Sequence, residues 1–189
     1  WRFDVARNES LNLVPEDYDI CVCIDIDEVI SKGWRQKLEN VWKNGVNHVR
    51  YNYNWSHDEN GNPVVNFYIE KIHARHGFRW VHPVHEVLEF TGDNEVWATT
   101  DEFTVDHWPD DNKSRSSYLP LLELSVKESP EDDRNMHYLG REYMFYGKYN
   151  EAIDTLIKHL NLKSATWKDE RCASMRFIAR CYKYLKRYD

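Results

Sequence analysis

The residues best placed to do chemistry lie in Tyr18-Asp19-Ile20-Cys21-Val22-Cys23-Ile24-Asp25-Ile26-Asp27-Glu28-Val29-Ile30. An apolar, β-branched run there turns abruptly acidic. Such a run fits a strand buried on both faces, as inside parallel α/β sheets. Asp25 and Asp27 sit two apart at its C-terminal end, and in extended chain positions i and i+2 point the same way. Two carboxylates converging at the carboxyl edge of a sheet, where open α/β folds take ligands, need a neutralising cation. Hard oxygen donors suit Mg²⁺ or Mn²⁺, ions that commonly hold a diphosphate. The same pair would also serve as a solvated acidic turn capping the helix expected over Lys32–Trp42.

Three further groups of residues carry potential chemistry. Ala6-Arg7-Asn8 lies on a helix expected over Phe3–Leu13, ahead of the strand. His73, His76, His82 and His85 give two HxxH spacings. That spacing is compatible with zinc, but the segment reads as extended, where i and i+3 face opposite sides, and no cysteine is near. Asp106-His107 closes a short strand over Phe103–His107 and precedes Lys113 and Arg115.

The elements that must position these groups follow from periodicity. Lys32–Asn44 reads as an amphipathic helix stopped by Asn44-Gly45. Val46–Trp55 and Val64–Ile72 alternate as strands around an Asn-Gly turn at His57–Pro63. Extended pieces follow at Arg75–Trp80 and Val84–Phe90. Helices are expected over Ser114–Glu128, Asp132–Tyr146, Tyr149–Leu160 and Lys168–Arg187, with Ser129-Pro130-Glu131-Asp132 as an N-cap. The break at Ser129-Pro130 divides the chain into an α/β domain, 1–128, and a helical region, 129–189. Within 136–162, Leu139-Gly140, Tyr143, Gly147-Lys148-Tyr149, Ala152 and Leu156 fall at positions typical of a tetratricopeptide repeat, with a generic helical hairpin as the alternative.

Composition bounds the function. The chain has 189 residues, 41% hydrophobic and 14% aromatic, enough for a real core. Its net charge of −7 argues against wholesale binding of a nucleic-acid backbone. No apolar stretch is long enough to span a bilayer and no signal peptide is visible. Four cysteines without a CxxC read as reduced thiols, and a cytoplasmic location is expected, with the inner face of the membrane as an option.

Taken in order, these pieces resemble the family 2 glycosyltransferases of the GT-A fold. They are most similar to the bacterial subgroup with C-terminal tetratricopeptide-like helices, related to lipopolysaccharide-core glucosyltransferases. Phe3-Asp4-Val5-Ala6-Arg7-Asn8 is similar to that family's F-x-x-A-R-N helix, and Cys23-Ile24-Asp25-Ile26-Asp27-Glu28 to its W-x-D-x-D-E, the DXD motif. Arg79–Glu86 resembles its x-V-H-E segment and Val105-Asp106-His107 its x-x-H. The family's first strands, which hold the nucleotide base, have no counterpart ahead of Trp1, so an N-terminally truncated member is expected.

The resemblance implies a GT-A-like mixed sheet flanked by helices, followed by a small all-α tail. It implies an inverting transfer of sugar from a nucleoside-diphosphate donor to a hydroxyl on a saccharide, lipid-linked or protein acceptor. Mn²⁺ or Mg²⁺ would be held by Asp25 and Asp27, with His107 as third ligand and His85 as its rival. Glu86 would be the general base. Arg7, Asn8 and Asp25 would reach the donor, and Trp80 would stack on a sugar ring. Two other readings stand beside this one: a non-catalytic interaction module built on the helical tail, and a metal-dependent phosphohydrolase using Asp25 and Asp27.

Overall fold

A computed structural model describes residues 1–110 and 116–188. Lys113, Ser114 and Arg115 lie outside the described residues, as does Asp189, and the helix expected from Ser114 is described from Tyr118. In chain order the elements are α1 (Phe3–Asn12), β1 (Ile20–Val22), β2 (Glu28–Ile30), α2 (Trp34–Val41), β3 (His48–His57), β4 (Pro63–Ala74), β5 (Phe78–Val81), β6 (Val87–Phe90), β7 (Trp97–His107), α3 (Tyr118–Glu128), α4 (Asp133–Phe145), α5 (Tyr149–Asn161) and α6 (Lys168–Tyr184). The fold is mixed α/β. No helix among the described residues is long and apolar enough to cross a membrane.

The chain forms two compact units. The sheet unit takes 5–81 and 86–110, and the helical unit takes 1–4, 82–85 and the described residues from 116 onward. The break at Ser129-Pro130 lies inside the helical unit, because Leu119 and Leu122 of α3 share a buried cluster with Leu139 of α4.

In the sheet unit five strands run in the order β1-β4-β3-β7-β2, with β5 and β6 as a separate antiparallel pair. The β3–β4 hairpin is antiparallel around its Asn-Gly turn, as its alternation requires. Val49, Tyr51 and Tyr53 take every second position of β3 and are at most 2% exposed. With Leu38, Ile72, Phe103 and Val105 they make the core. The sheet's parallel pairing is between β3 and β7. There the register jumps, Tyr51 facing Thr100 but Asn52 facing Thr104, so Asp101–Phe103 step out of the ladder and the sheet curls.

The acidic stretch departs from the strand expected of it. Ile20–Val22 is a three-residue strand paired antiparallel to β4 at one edge of the sheet. Glu28–Ile30 pairs antiparallel with β7 at the opposite edge. A continuous apolar run reports burial, not which partner supplies it. Of β1 only Cys21 is buried.

His73 is fully buried in β4, its Nδ1 donating to the Ala74 carbonyl at 2.7 Å. Burial pushes its pKa down to about 4, against only partial compensation from that hydrogen bond. The folded state therefore keeps His73 neutral while the unfolded chain takes up a proton below about 6.5. The stability this confers is present above pH 6.5 and lost as pH falls toward about 4. Urea titrations across that window are expected to show a shallower acid loss for His73→Gln than for the wild type.

In the helical unit Asp132 caps α4, its carboxylate accepting from the Asn135 amide at 2.7 Å. Met144, Ala152, Ile153, Leu156, Phe177 and Cys181 join α4, α5 and α6. Gly140 permits the closest approach: a Cβ there would meet Leu156 Cγ at 2.5 Å. Leu156 is fully buried and cannot yield. Gly140→Leu is expected to lower unfolding free energy by about 1–3 kcal/mol through overpacking. Unchanged thermal unfolding would mean that α4 and α5 do not meet at this glycine.

Candidate functional site

The site grows from the turn between β1 and β2. Asp25 and Asp27 lie on this turn, not on a strand, and their side chains go to different partners. Asp25 Oδ1 accepts from Arg7 at 2.7 Å and Oδ2 from Lys71 at 2.8 Å. Lys71 Nζ also lies 2.6 Å from Glu28 Oε1. That carboxylate accepts further from the Tyr53 hydroxyl at 2.8 Å and from the Asp25 amide at 2.9 Å. Arg7 Nε donates to Glu86 Oε1 at 2.5 Å, and its guanidinium lies 4.7 Å above the centre of the Trp80 ring.

Charges thus alternate along Glu28, Lys71, Asp25, Arg7 and Glu86. Side-chain exposure is 2% at Glu28 and 9% at Lys71, so their desolvation must be met by these contacts. Burial acts to raise the Asp25 pKa, but the Lys71 ammonium and the Arg7 guanidinium outweigh it and hold the carboxyl below its ordinary value. Burial and the hydrogen bond to Glu28 drive the Tyr53 phenol pKa upward, keeping it a neutral donor.

Asp27 makes a separate arrangement. Its backbone carbonyl accepts from the Trp108 amide at 2.7 Å, extending the β2–β7 register in which Glu28 faces His107. His107 Nδ1 lies 3.1 Å from the Trp55 carbonyl, which can only accept, so this nitrogen carries the hydrogen. Nε2 then faces Asp27 Oδ2 at 3.6 Å, beyond hydrogen-bond length. In the neutral imidazole that Nε2 is a bare lone pair opposite a carboxylate. The separation is close to that between two ligands sharing one divalent ion, each about 2.0–2.2 Å from it. A backbone carbonyl on the far nitrogen is also the usual way a ligating histidine is oriented. Asp27 and His107 therefore fit a metal, whereas Asp25 could join them only by releasing Arg7 or Lys71.

Aromatic rings surround this pair. Trp55 stacks on His107 at 4.5 Å and is half exposed. Trp108, equally exposed, stacks on His57 at 4.1 Å. His57 Nε2 lies 3.1 Å from Asp106 Oδ1, which also accepts from Asn54 at 2.7 Å. A pocket of about 300 Å³ opens between Ser56–Asp58 and His107–Pro109. A second, of about 380 Å³, lies between α1 and β1 and reaches Arg7, Cys23 and Trp80.

The other residues singled out in the sequence fall as follows. Asn8 spends its amide on the Trp80 backbone, donating to the carbonyl at 2.8 Å and accepting from the N–H at 2.9 Å. It thereby fixes β5 against α1. Trp80 is only 4% exposed, with Arg7 on its face. The chain turns after β5 through positive φ at His82 (78°) and His85 (54°). His85 belongs to the helical unit, where its ring lies 4.4 Å from Tyr138 and 5.6 Å from Tyr118. The four histidines of the HxxH pair go to separate partners. His73 bonds Ala74, His76 the Glu16 carbonyl at 3.1 Å, and His82 Asn135 at 2.9 Å.

Lys71, Tyr53 and His57 are parts of the site that motif reading leaves out, while Glu28 and Asp106 lie inside the quoted motifs without a role assigned to them. A signal existed for Lys71. By the two-residue period it shares a strand face with Ile69 and His73, and a lysine in such company needs an anion.

The chain matches no model of a known protein family and no curated protein.

Proposed function

We propose that the chain is the metal-dependent catalytic part of a glycosyltransferase, moving a sugar from a nucleoside-diphosphate donor to an acceptor hydroxyl with inversion. The observation that carries this reading is the Asp27–His107 pair, a carboxylate and an oriented imidazole 3.6 Å apart on the edge of a mixed sheet. Asp27 and His107 would hold Mn²⁺, with Mg²⁺ the weaker fit to a set that includes an imidazole, and the ion would neutralise charge on the leaving diphosphate. Trp55 and Trp108 offer half-exposed ring faces beside it, suited to a pyranose. Arg7 would turn from Asp25 toward donor phosphate, and Glu86 would take the acceptor's proton. On this reading the mixed sheet is a GT-A variant and α4–α6 a tetratricopeptide-like tail.

Calorimetry with Mn²⁺ and a nucleoside diphosphate tests it. The wild type is expected to bind the nucleotide only with the metal present. Asp27→Asn should weaken Mn²⁺ at this pair by at least tenfold while circular dichroism stays unchanged. Equal affinity in the variant would remove the metal from Asp27. Metal-independent nucleotide binding would remove the transferase reading.

A further inference from the structure

A second set of ligand-type side chains lies wholly inside the helical unit. His137 Nδ1 is 2.7 Å from Ser174 Oγ, and that oxygen is 2.9 Å from His159 Nδ1. At the other side of the His159 ring, Nε2 is 3.2 Å from Glu170 Oε1. Ser174 and His159 have zero exposure, so this serine–histidine–carboxylate order offers no nucleophile to a substrate. Asp133, the first residue of α4, completes a trio with His159 and Glu170 whose ligand atoms lie within 4.8 Å of one another. Among the described residues it is the one His/Cys/Asp/Glu trio so arranged.

Two ligands about 2.0–2.1 Å from a tetrahedral ion stand about 3.3 Å apart. The His159–Glu170 separation of 3.2 Å is close to that edge. The serine between the histidines has one proton and can donate either way. When His159 Nδ1–H donates to Ser174 and Ser174 donates to His137, Nε2 of His159 becomes a lone pair aimed at a carboxylate. That polarity places two acceptors face to face, which a cation resolves. It also gives the ligating histidine the outer hydrogen bond that metal sites use. The neighbouring cation Arg134 donates to the His85 carbonyl at 3.1 Å and lies 5.3 Å from the Tyr138 ring, so it reaches Glu170 through charge and not through a hydrogen bond among those described.

We infer that Asp133, His159 and Glu170 bind one transition-metal dication of the Zn²⁺ type, tying α4, α5 and α6 together. One imidazole and two carboxylates favour such an ion over Mg²⁺ or Ca²⁺, which prefer all-oxygen shells. Half-buried Asp133 leaves an approach for the ion and a place for a water ligand. The site does not depend on the transferase reading.

The test uses the full chain carrying Asp27→Asn, so that the other pair cannot answer for it, with Co²⁺ as probe. One equivalent is expected to give the intense visible absorption of a tetrahedral nitrogen–oxygen site, abolished by Zn²⁺. In that background Glu170→Gln and Asp133→Asn should each weaken binding by more than tenfold, and Ser174→Ala by about 10–100-fold. Absence of the absorption, or unchanged affinity in both ligand variants, overturns the site. Should Glu170→Gln fail to fold, Asp133→Asn decides alone, because the α4 cap is made by Asp132 and survives.

Discussion

Lys71→Met is expected to cost about 3–5 kcal/mol of unfolding free energy, the range for removing one partner of a buried ion pair. Methionine fills most of the volume, so the loss is electrostatic and not a cavity effect. Lys71 alone stands between Glu28 and Asp25, at 2.6 and 2.8 Å. Without it the Glu28 side chain, 2% exposed, keeps the Tyr53 hydroxyl and one amide as its hydrogen-bond donors among the described residues. Denaturant unfolding at neutral pH should show the full loss. A loss under 1 kcal/mol at pH 7 would mean that water reaches Glu28. A double substitution, Lys71→Met with Glu28→Gln, is expected to recover part of the stability, since it removes the uncompensated charge.

The second large effect concerns Glu86 and rests on the transferase reading. Glu86→Gln is expected to lower turnover by ~10²–10⁴-fold, the usual contribution of a general base, with donor affinity nearly intact. The geometry permits this role in a particular way. Arg7 engages Oε1, so the proton would arrive at Oε2. Glutamine can still accept from Arg7 but cannot take up a proton. Single-turnover measurements with a nucleotide-sugar separate the outcomes. If donor affinity falls and turnover holds, Glu86 positions Arg7, and through it Asp25, and the base lies elsewhere. His57, paired to Asp106 beside the pocket of about 300 Å³, would then be the residue to examine.

Local features of this chain could be read from its sequence because their causes are local. The Asn-Gly turn, the two-residue period of Val49, Tyr51 and Tyr53, and the Asp132 cap each act within a few residues. The helices α4 and α5 accordingly fall within a residue of their expected ends. The acidic stretch was misjudged for the converse reason. Asp25 takes its cations from positions 18 and 46 residues away, and no periodicity within the stretch reports them. Its apolar run looked central because burial by a helix and burial by neighbouring strands leave the same residue types. The candidate site was half legible. Asp27 and His107 come together in the sequence only through the family resemblance, whereas in the fold the antiparallel register of β2 on β7 brings them to one edge. The alternating charges from Glu28 to Glu86 depend on Lys71, whose side chain carries no motif.

The placement of β1 and β2 has a mechanical consequence. These strands are close in sequence, yet they occupy opposite edges of a five-stranded sheet. Laid flat, four inter-strand gaps of about 4.8 Å would separate them by roughly 19 Å. Cys23 is still bonded to the Lys71 carbonyl beside β4, and the Asp25 carbonyl already accepts from the Glu28 amide in a tight turn. Two extended steps and one such turn together reach only about 14 Å. The linker therefore works as a bowstring: its span is shorter than the flat sheet, and the curl begun at Asp101–Phe103 of β7 is what lets it close. Flattening the sheet would pull directly on Asp25 and Asp27, so the curvature of the strands and the position of the acidic side chains form one degree of freedom.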